Sequence, residues 1–464
     1  MPSHCRICHQ ITRNISTSSK LGKSFLFRSA ALLARLYLSI WGSNMKEPLL
    51  YLCHRIPYPP NKGDKIANYH ILKYLSRHFD VYLGCFIDDP FDLQYQSKVK
   101  KYCKESLFIS ISPSFSKLKG ASALLTGKPI TLPYYSRKEM QQWVDSTIEQ
   151  HQVSKAFVVS GCMAQYLLSS RYRPRTVMHF VDIDSDKWRQ YAEKKQGIMR
   201  AVYRREHRTL ERYEKKVAST FEISCFVTEA ETRAFRHMAD NRIRGRIKTL
   251  ENGLDSQFFS SSVSTPLAEA YRLEDENYVV FTGVMDYWAN EDAVAWFARV
   301  VWPKVLAEIP DGKFYIVGSS PTAKVKSLAE IPGIIVTGRV VDVRPYLQKA
   351  KAAVAPMRIA RGVQNKILEA MSMSRAVIAS PQGMEGLDNY PPCHVAVSDS
   401  PSDIAGWVVD KLKAKQSVAT ESREWIEQHY SWDAQLSPLL GYLEPSHAEF
   451  KACRTNTELM KTGR

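Results

Sequence analysis

No stretch of this sequence stays apolar for the ~20 residues that a bilayer span requires. The nearest, 25–41, is interrupted by Arg28 and Arg35. A multi-span membrane protein is therefore excluded, and any membrane contact is expected to be peripheral. Acidic residues are missing altogether from 1–44, which carry six basic ones: Arg6, Arg13, Lys20, Lys23, Arg28 and Arg35. Cysteine spacing offers no disulfide framework, because Cys5, Cys8, Cys53, Cys85, Cys103, Cys162, Cys225, Cys393 and Cys453 are scattered and mostly sit in apolar runs, as in a reduced cytosolic chain. Cys5-Arg6-Ile7-Cys8-His9 spells a c-type haem attachment motif, but no signal peptide precedes it, and a zinc site lacks a second ligand pair. Leu21-Gly22-Lys23-Ser24 resembles the end of a P-loop, yet Thr17 stands where the earlier glycine is needed. Solenoid-length repeats, zinc fingers and RNP-type motifs are absent too, so no nucleic-acid partner is expected.

What remains is ordinary globular composition, 44% hydrophobic and 24% charged over 464 residues, which excludes long disorder. The net charge is +17; setting aside the six basic residues of 1–44 leaves 58 basic against 47 acidic residues, or +11. Such an excess suits anionic partners without choosing among them. The leader 1–44 reads either as a transit-like segment, Arg- and Ser-rich and free of acids, or as sequence upstream of a true start at Met45.

From Lys46 onward, short β-branched or apolar runs alternate with longer amphipathic stretches, which implies parallel strands with crossover helices. Strands are expected at 49–53, 81–86, 156–160, 176–181, 223–228 and 247–250, and again at 278–282, 313–317, 333–337, 352–355, 376–379 and 394–397. A serine-rich segment, 256–265, reads as the linker. The expected plan is a first α/β domain over 45–260, a second over 270–421, a closing helical element over 422–445 that returns to the first, and a frayed tail, 446–464. Two doubly wound sheets in series leave a cleft at the carboxyl ends of their strands, where ligands bind.

The most informative stretch is MRIARGVQNKILEAMSMSRAVIASPQGMEGL, 357–387. Gly362 permits close backbone approach to a ligand, and the free amides at the following helix start favour an anion. Arg361 and Lys366 add positive charge, and Glu369 is able to accept two hydrogen bonds from a vicinal diol such as ribose. These are the parts of a nucleotide-diphosphate site. On spacing alone, Lys366 and Glu369 also fit a solvent-exposed i,i+3 ion pair.

Further segments join this one in order. They are HRIPYPPNKGDKIANYHILKYL at 54–75, HFVDIDSDKWRQYA at 179–192, FTGVMDYWANEDAVAWF at 281–297, Asn252-Gly253-Leu254-Asp255 and Tyr430-Ser431-Trp432. Together they resemble the GT-B glycosyltransferases, specifically family 4 of the retaining enzymes, over about Met45 to Leu443. The closest likeness is to the sugar transferases associated with exosortase (PEP-CTERM) exopolysaccharide systems. The resemblance implies two Rossmann-like domains facing across a cleft, and transfer of a sugar from a nucleotide diphosphate donor to a saccharide or polyprenyl-linked acceptor with retention. No cofactor or metal is expected beyond the nucleotide sugar itself as co-substrate. It also implies that Glu369 binds the donor ribose, Lys366 and Arg361 the diphosphate, and Gly338-Arg339 the nucleobase. Arg361 stands where many family 4 enzymes carry a glutamate eight residues before the ribose-binding one; a fixed cation there would stabilise charge developing on the leaving phosphate.

In the first domain, Asp182 is the candidate for positioning an acceptor hydroxyl, while Asp184 and Asp186 fit helix capping. His179 reads as strand packing. Gly63 is a close-approach point to the diphosphate with Asp64 as its helix cap, and Gly283 plays the matching part in the second domain, with Asn290 as a cap. Between 171 and 216 there are 14 basic and 7 acidic residues, with apolar side chains at helical spacing. This reads as a basic amphipathic helix or two, either solvated or docked on anionic lipid at the inner face of the cytoplasmic membrane. Two other functions share these features: epimerisation of the nucleotide sugar, and a non-catalytic scaffold role in a polysaccharide assembly.

Overall fold

The computed structural model describes residues 46–444 except 61–62, 112–126, 194, 263–272, 274–275, 361–362 and 415–418. The leader with its cysteine pair and P-loop-like Leu21–Ser24, the tail 446–464, and Arg361 and Gly362 lie outside the described residues.

Two parallel sheets organise the chain. The first is built from β1 (Glu47–Cys53), β2 (Phe79–Ile87), β3 (Glu105–Ser110), β4 (Lys155–Val159), β5 (Arg175–Val181), β6 (Ile223–Phe226) and β7 (Ile247–Thr249), in the order β3-β2-β1-β4-β5-β6-β7. The second contains β8 (Tyr278–Thr282), β9 (Lys313–Val317), β10 (Ile334–Gly338), β11 (Ala352–Ala355), β12 (Val377–Ala379) and β13 (Val395–Val397), in the order β10-β9-β8-β11-β12-β13. Neighbouring strands in both sheets pair in parallel, for instance Leu50 beside Tyr82 and Ala156, and Val280 beside Tyr315 and Ala353. Strands such as YVVFT and KAFVV are apolar but for Thr282 and Lys155 at their ends, because helices cover both faces of each sheet. Each sheet thus has two cores: Leu50, Phe86 and Phe226 on one side of the first and Leu49, Tyr51 and Phe157 on the other, with Phe281, Trp302 and Phe314 opposite Tyr278, Leu368 and Met371 in the second. Strand order reverses between β1 and β4 and between β8 and β11, opening a crevice at the carboxyl end of each sheet.

The helices that border these crevices or close the domains are α1 (Gly63–His78), α2 (Asp184–Glu193), α3 (Gly197–Thr220), α4 (Glu229–Met238), α5 (Trp288–Trp296), α6 (Asn365–Ser372), α7 (Thr420–His429) and α8 (Trp432–Leu443). The closing element is two helices rather than one. Tyr430 breaks the run, and Ser431 restarts it by accepting a hydrogen bond from Ala434 N at 3.2 Å. Of these two, α8 packs on the first sheet, through Trp432, Leu436, Leu439 and Leu443, while α7 stays on the second through Trp425 and Ile426. The described part of the expected linker is tied down, since Arg423 donates to the carbonyls of Ser256 and Phe259 at 3.1 and 2.9 Å.

Candidate active site

In the second domain a pocket of about 620 Å³ lies over the carboxyl ends of β8, β9 and β10, with α6 along one wall. Its backbone wall is compact. Gly283 N donates to Val317 O at 3.0 Å, Met285 N to Ser319 O at 2.8 Å, and Gly318 N to Gly338 O at 3.3 Å. Gly318 is obligatory there, because a Cβ on it would stand 1.6 Å from Gly283 O. Gly338 turns the end of β10 with φ +67° and delivers Arg339 to the pocket rim, where it is exposed.

Helix α6 forms because Ile367, Leu368, Ala370 and Met371 bury one face against the sheet. That orientation turns Lys366 and Glu369 into the pocket, beside Gly283 and Asn290. No side chain caps the helix start at Gln364, so its first turn keeps donors for a ligand. Lys366 Nζ donates to Gln364 Oε1 at 3.3 Å and lies 5.3 Å from the Phe281 ring centroid. The Glu369 side chain is half-buried and lines the pocket. Burial pushes it up to about 7, against the opposing pull of Lys366; burial likewise lowers Lys366 to about 8, against the pull of Glu369. These two groups are therefore a desolvated pair at a pocket floor, and the exposed ion pair that spacing alone allowed is overturned.

Asn290 is not a helix cap. It lies two residues inside α5, where its Nδ2 donates to Val284 O at 2.9 Å and braces the Gly283 loop, while its buried Oδ1 has no partner among the described residues. Sequence pattern could not separate a cap from a brace two positions on.

The first domain gathers a different set. At the end of β1, His54 Nε2 approaches Asp64 Oδ2 at 3.5 Å, and Arg55 reaches Asp64 at 3.1 Å and Asp88 at 2.7 Å. The His54 hydrogen bond first, and Arg55 with it, hold Asp64 well below the usual carboxylate range. Asp64 is thus a binder of the β1 loop rather than the cap expected of it. Gly63 opens α1 with open space where a side chain would stand. At the end of β5, the register with β6 shifts between His179 and Val181, and Val181 takes φ 75°, an uncommon state for a β-branched residue. His179 packs in the strand as expected, with Nδ1 accepting from Val181 N at 3.1 Å. The kink presents Asp182, which pairs with Lys187 at 2.6 Å; Lys187 also reaches Asp184 at 3.3 Å. Glu231 of α4 joins them, accepting from Ile183 N at 3.2 Å, and burial, with Asp182 adding, pushes it up to about 7. The sequence reading missed Glu231, which looks like any acid in a helix's first turn. Asp184 and Asp186 do lie in the first turn of α2.

Two doubly wound parallel domains, each with its polar groups at the carboxyl edge of its sheet, are the GT-B architecture. Residues 276–413 match the family model described as "Glycosyl transferases group 1". Similar solved structures include HepE of Anabaena in complex with UDP-glucose, 13% identical with TM-score 0.52, covering 85% of this chain and 99% of that one. They also include a glycosyltransferase from Rickettsia africae, 14% identical with TM-score 0.55, covering 86% and 100%, and sucrose-phosphate synthase from Thermosynechococcus elongatus, 14% identical with TM-score 0.50, covering 85% and 97%. At these identities the likeness is one of fold. No curated protein matches the chain. Among the described residues no helix is long and apolar enough to cross a membrane.

Proposed function

We propose that the protein transfers a sugar from a nucleotide diphosphate donor to a saccharide or lipid-linked saccharide acceptor, with retention and without a metal, in exopolysaccharide assembly of the exosortase-associated kind and in peripheral contact with an anionic membrane. The observation that carries the donor reading is the pairing of Lys366 and Glu369 at the floor of one glycine-walled pocket. Glu369 accepts from both ribose hydroxyls. Lys366 and Arg361 hold the diphosphate and stabilise the negative charge that grows on it as the bond to the sugar breaks. Gly283, Gly362 and, from the first domain, Gly63 let backbone approach the phosphates; Gly338 and Arg339 border the nucleobase; Asp182 orients the acceptor hydroxyl. UDP-glucose, held by the HepE structure, is the first donor to test.

The deciding experiment is Glu369→Ala against a panel of nucleotide sugars. Loss of two charge-assisted hydrogen bonds weakens binding of the true donor by at least about 100-fold; unchanged affinity removes the ribose assignment. Product analysis with and without a membrane extract decides the reaction. Consumption of donor without acceptor makes the enzyme an epimerase, and no consumption of any donor makes it a scaffold.

A further inference from the structure

Helix α3 carries a second charged feature that the donor pocket does not use. Arg200, Arg204, Arg208, Arg212 and Lys216 recur every fourth residue, all exposed, forming a ridge about 24 Å long in which each charge stands about 6 Å further along the axis and about 40° further around it. None has an ion-pair partner among the described residues. The helix's acids are all turned elsewhere. Glu206 is buried and accepts from Ile130 N at 2.7 Å, Glu214 is buried and accepts from Ser185 N at 3.1 Å, and Glu211 pairs with Lys215 at 2.5 Å. A hollow of about 490 Å³ runs along the row, lined by Arg200, Arg204, Arg205, Arg208 and Arg212. Like charges at this spacing repel one another, so the row is unfavourable until an anionic surface faces it.

The end of the row says which surface. At the start of α3, Ile198 is 83% and Met199 47% exposed, and Tyr191, at the end of α2, is 53% exposed. Lys195 and Arg200 flank them. Nucleic acid or a soluble polyanion has no use for a bare isoleucine and methionine, whereas a bilayer takes apolar side chains below its headgroups and cations at them. The tip lies well away from the β5 end of the first sheet. Ser185 of α2 is anchored to Glu214 of α3 just after Asp182, and Ile198 lies about 24 Å of helix beyond Glu214. We infer that the α2–α3 tip and the cationic row of α3 form a docking surface for an anionic phospholipid bilayer, with phosphate headgroups along the row and Ile198 and Met199 inserted. This locates the membrane contact of the proposed function and stands apart from the donor chemistry.

The test is co-sedimentation of the full chain with phosphatidylcholine vesicles, with and without phosphatidylglycerol. Binding is expected only to the anionic vesicles. Each cation near such a surface contributes about fivefold, so Arg204→Gln, Arg208→Gln and Arg212→Gln together lower partitioning on the order of 100-fold, the corresponding Lys variants retain it, and Ile198→Asp weakens it further. Unaltered binding by the Gln variant overturns the proposal. So does indifference to Ile198→Asp combined with full displacement by soluble polyphosphate, which makes the row a polyanion site. The Lys variants keep the parent unfolding temperature, the Gln variant unfolds at or slightly above it because repulsions are removed, and affinity for UDP-glucose is unchanged in all of them, so failure here is distinct from failure of the donor assignment.

Discussion

The pair at the pocket floor carries opposite protonation demands. On the proposed donor reading, Glu369 must be ionised to accept from two hydroxyls and Lys366 protonated to hold phosphate. With folded values of about 7 and about 8, donor affinity should rise as pH climbs through 7 and fall as it passes 8, which titration calorimetry across pH 5.5–9.5 measures. In the free protein the sign for stability is the reverse of the usual carboxylate case. A carboxyl raised from 4.5 to about 7 binds a proton more tightly folded than unfolded, so it lowers stability progressively as pH rises from 4.5 to 7. Glu369→Gln should therefore raise the unfolding free energy at pH 7.5 by on the order of 1 kcal/mol after allowing for solvent in the pocket, and the denaturation midpoint with it, while donor affinity drops. An unchanged midpoint would show that the carboxylate is not desolvated. That Lys366 and Glu369 share one pocket with Gly283 and Arg339 accords with what spacing and likeness suggested; partnership was not legible. Asp64 and Asn290 each look like caps in one dimension, and only the fold brings Asp64 to His54 and Arg55 and Asn290 to Val284.

Among the elements, the strands buried on both faces were the easiest to read. YVVFT, KFYIV and AAVA fall at the residues expected, because continuous apolar runs bounded by polar turns leave little latitude in their ends. The strand that escaped is β3, ESLFIS, at the edge of the first sheet; with one neighbour and partial exposure it needs neither a long apolar run nor alternation. Helix α3 shows an element balanced between folding and binding. Arg208→Glu replaces repulsions with attractions to Arg204 and Arg212, and should raise the stability of the first domain by about 1 kcal/mol, read by calorimetry, while anionic vesicles release the protein. A loss of stability would mean that the row is already neutralised within the molecule.

At the scale of the molecule, two sheets share one closing segment. Trp432 leads α8 onto the first sheet, its ring stacked on His70 at 4.7 Å between centroids and 5° apart, and it is nearly buried. Trp432→Ala should destabilise the first domain by about 3 kcal/mol and leave the second near its parent value, a difference that domain-resolved calorimetry or hydrogen exchange would detect. Equal losses in both would mean that the sheets unfold as one unit. The chain passes between domains twice, and the two passages run side by side: Leu254 pairs in parallel with Ser431, and its amide donates to Tyr430 O at 2.6 Å. A doubled strap bends about one line far more readily than it twists. Any change of angle between the halves is therefore expected to turn about that doubled strap, like a book on its spine.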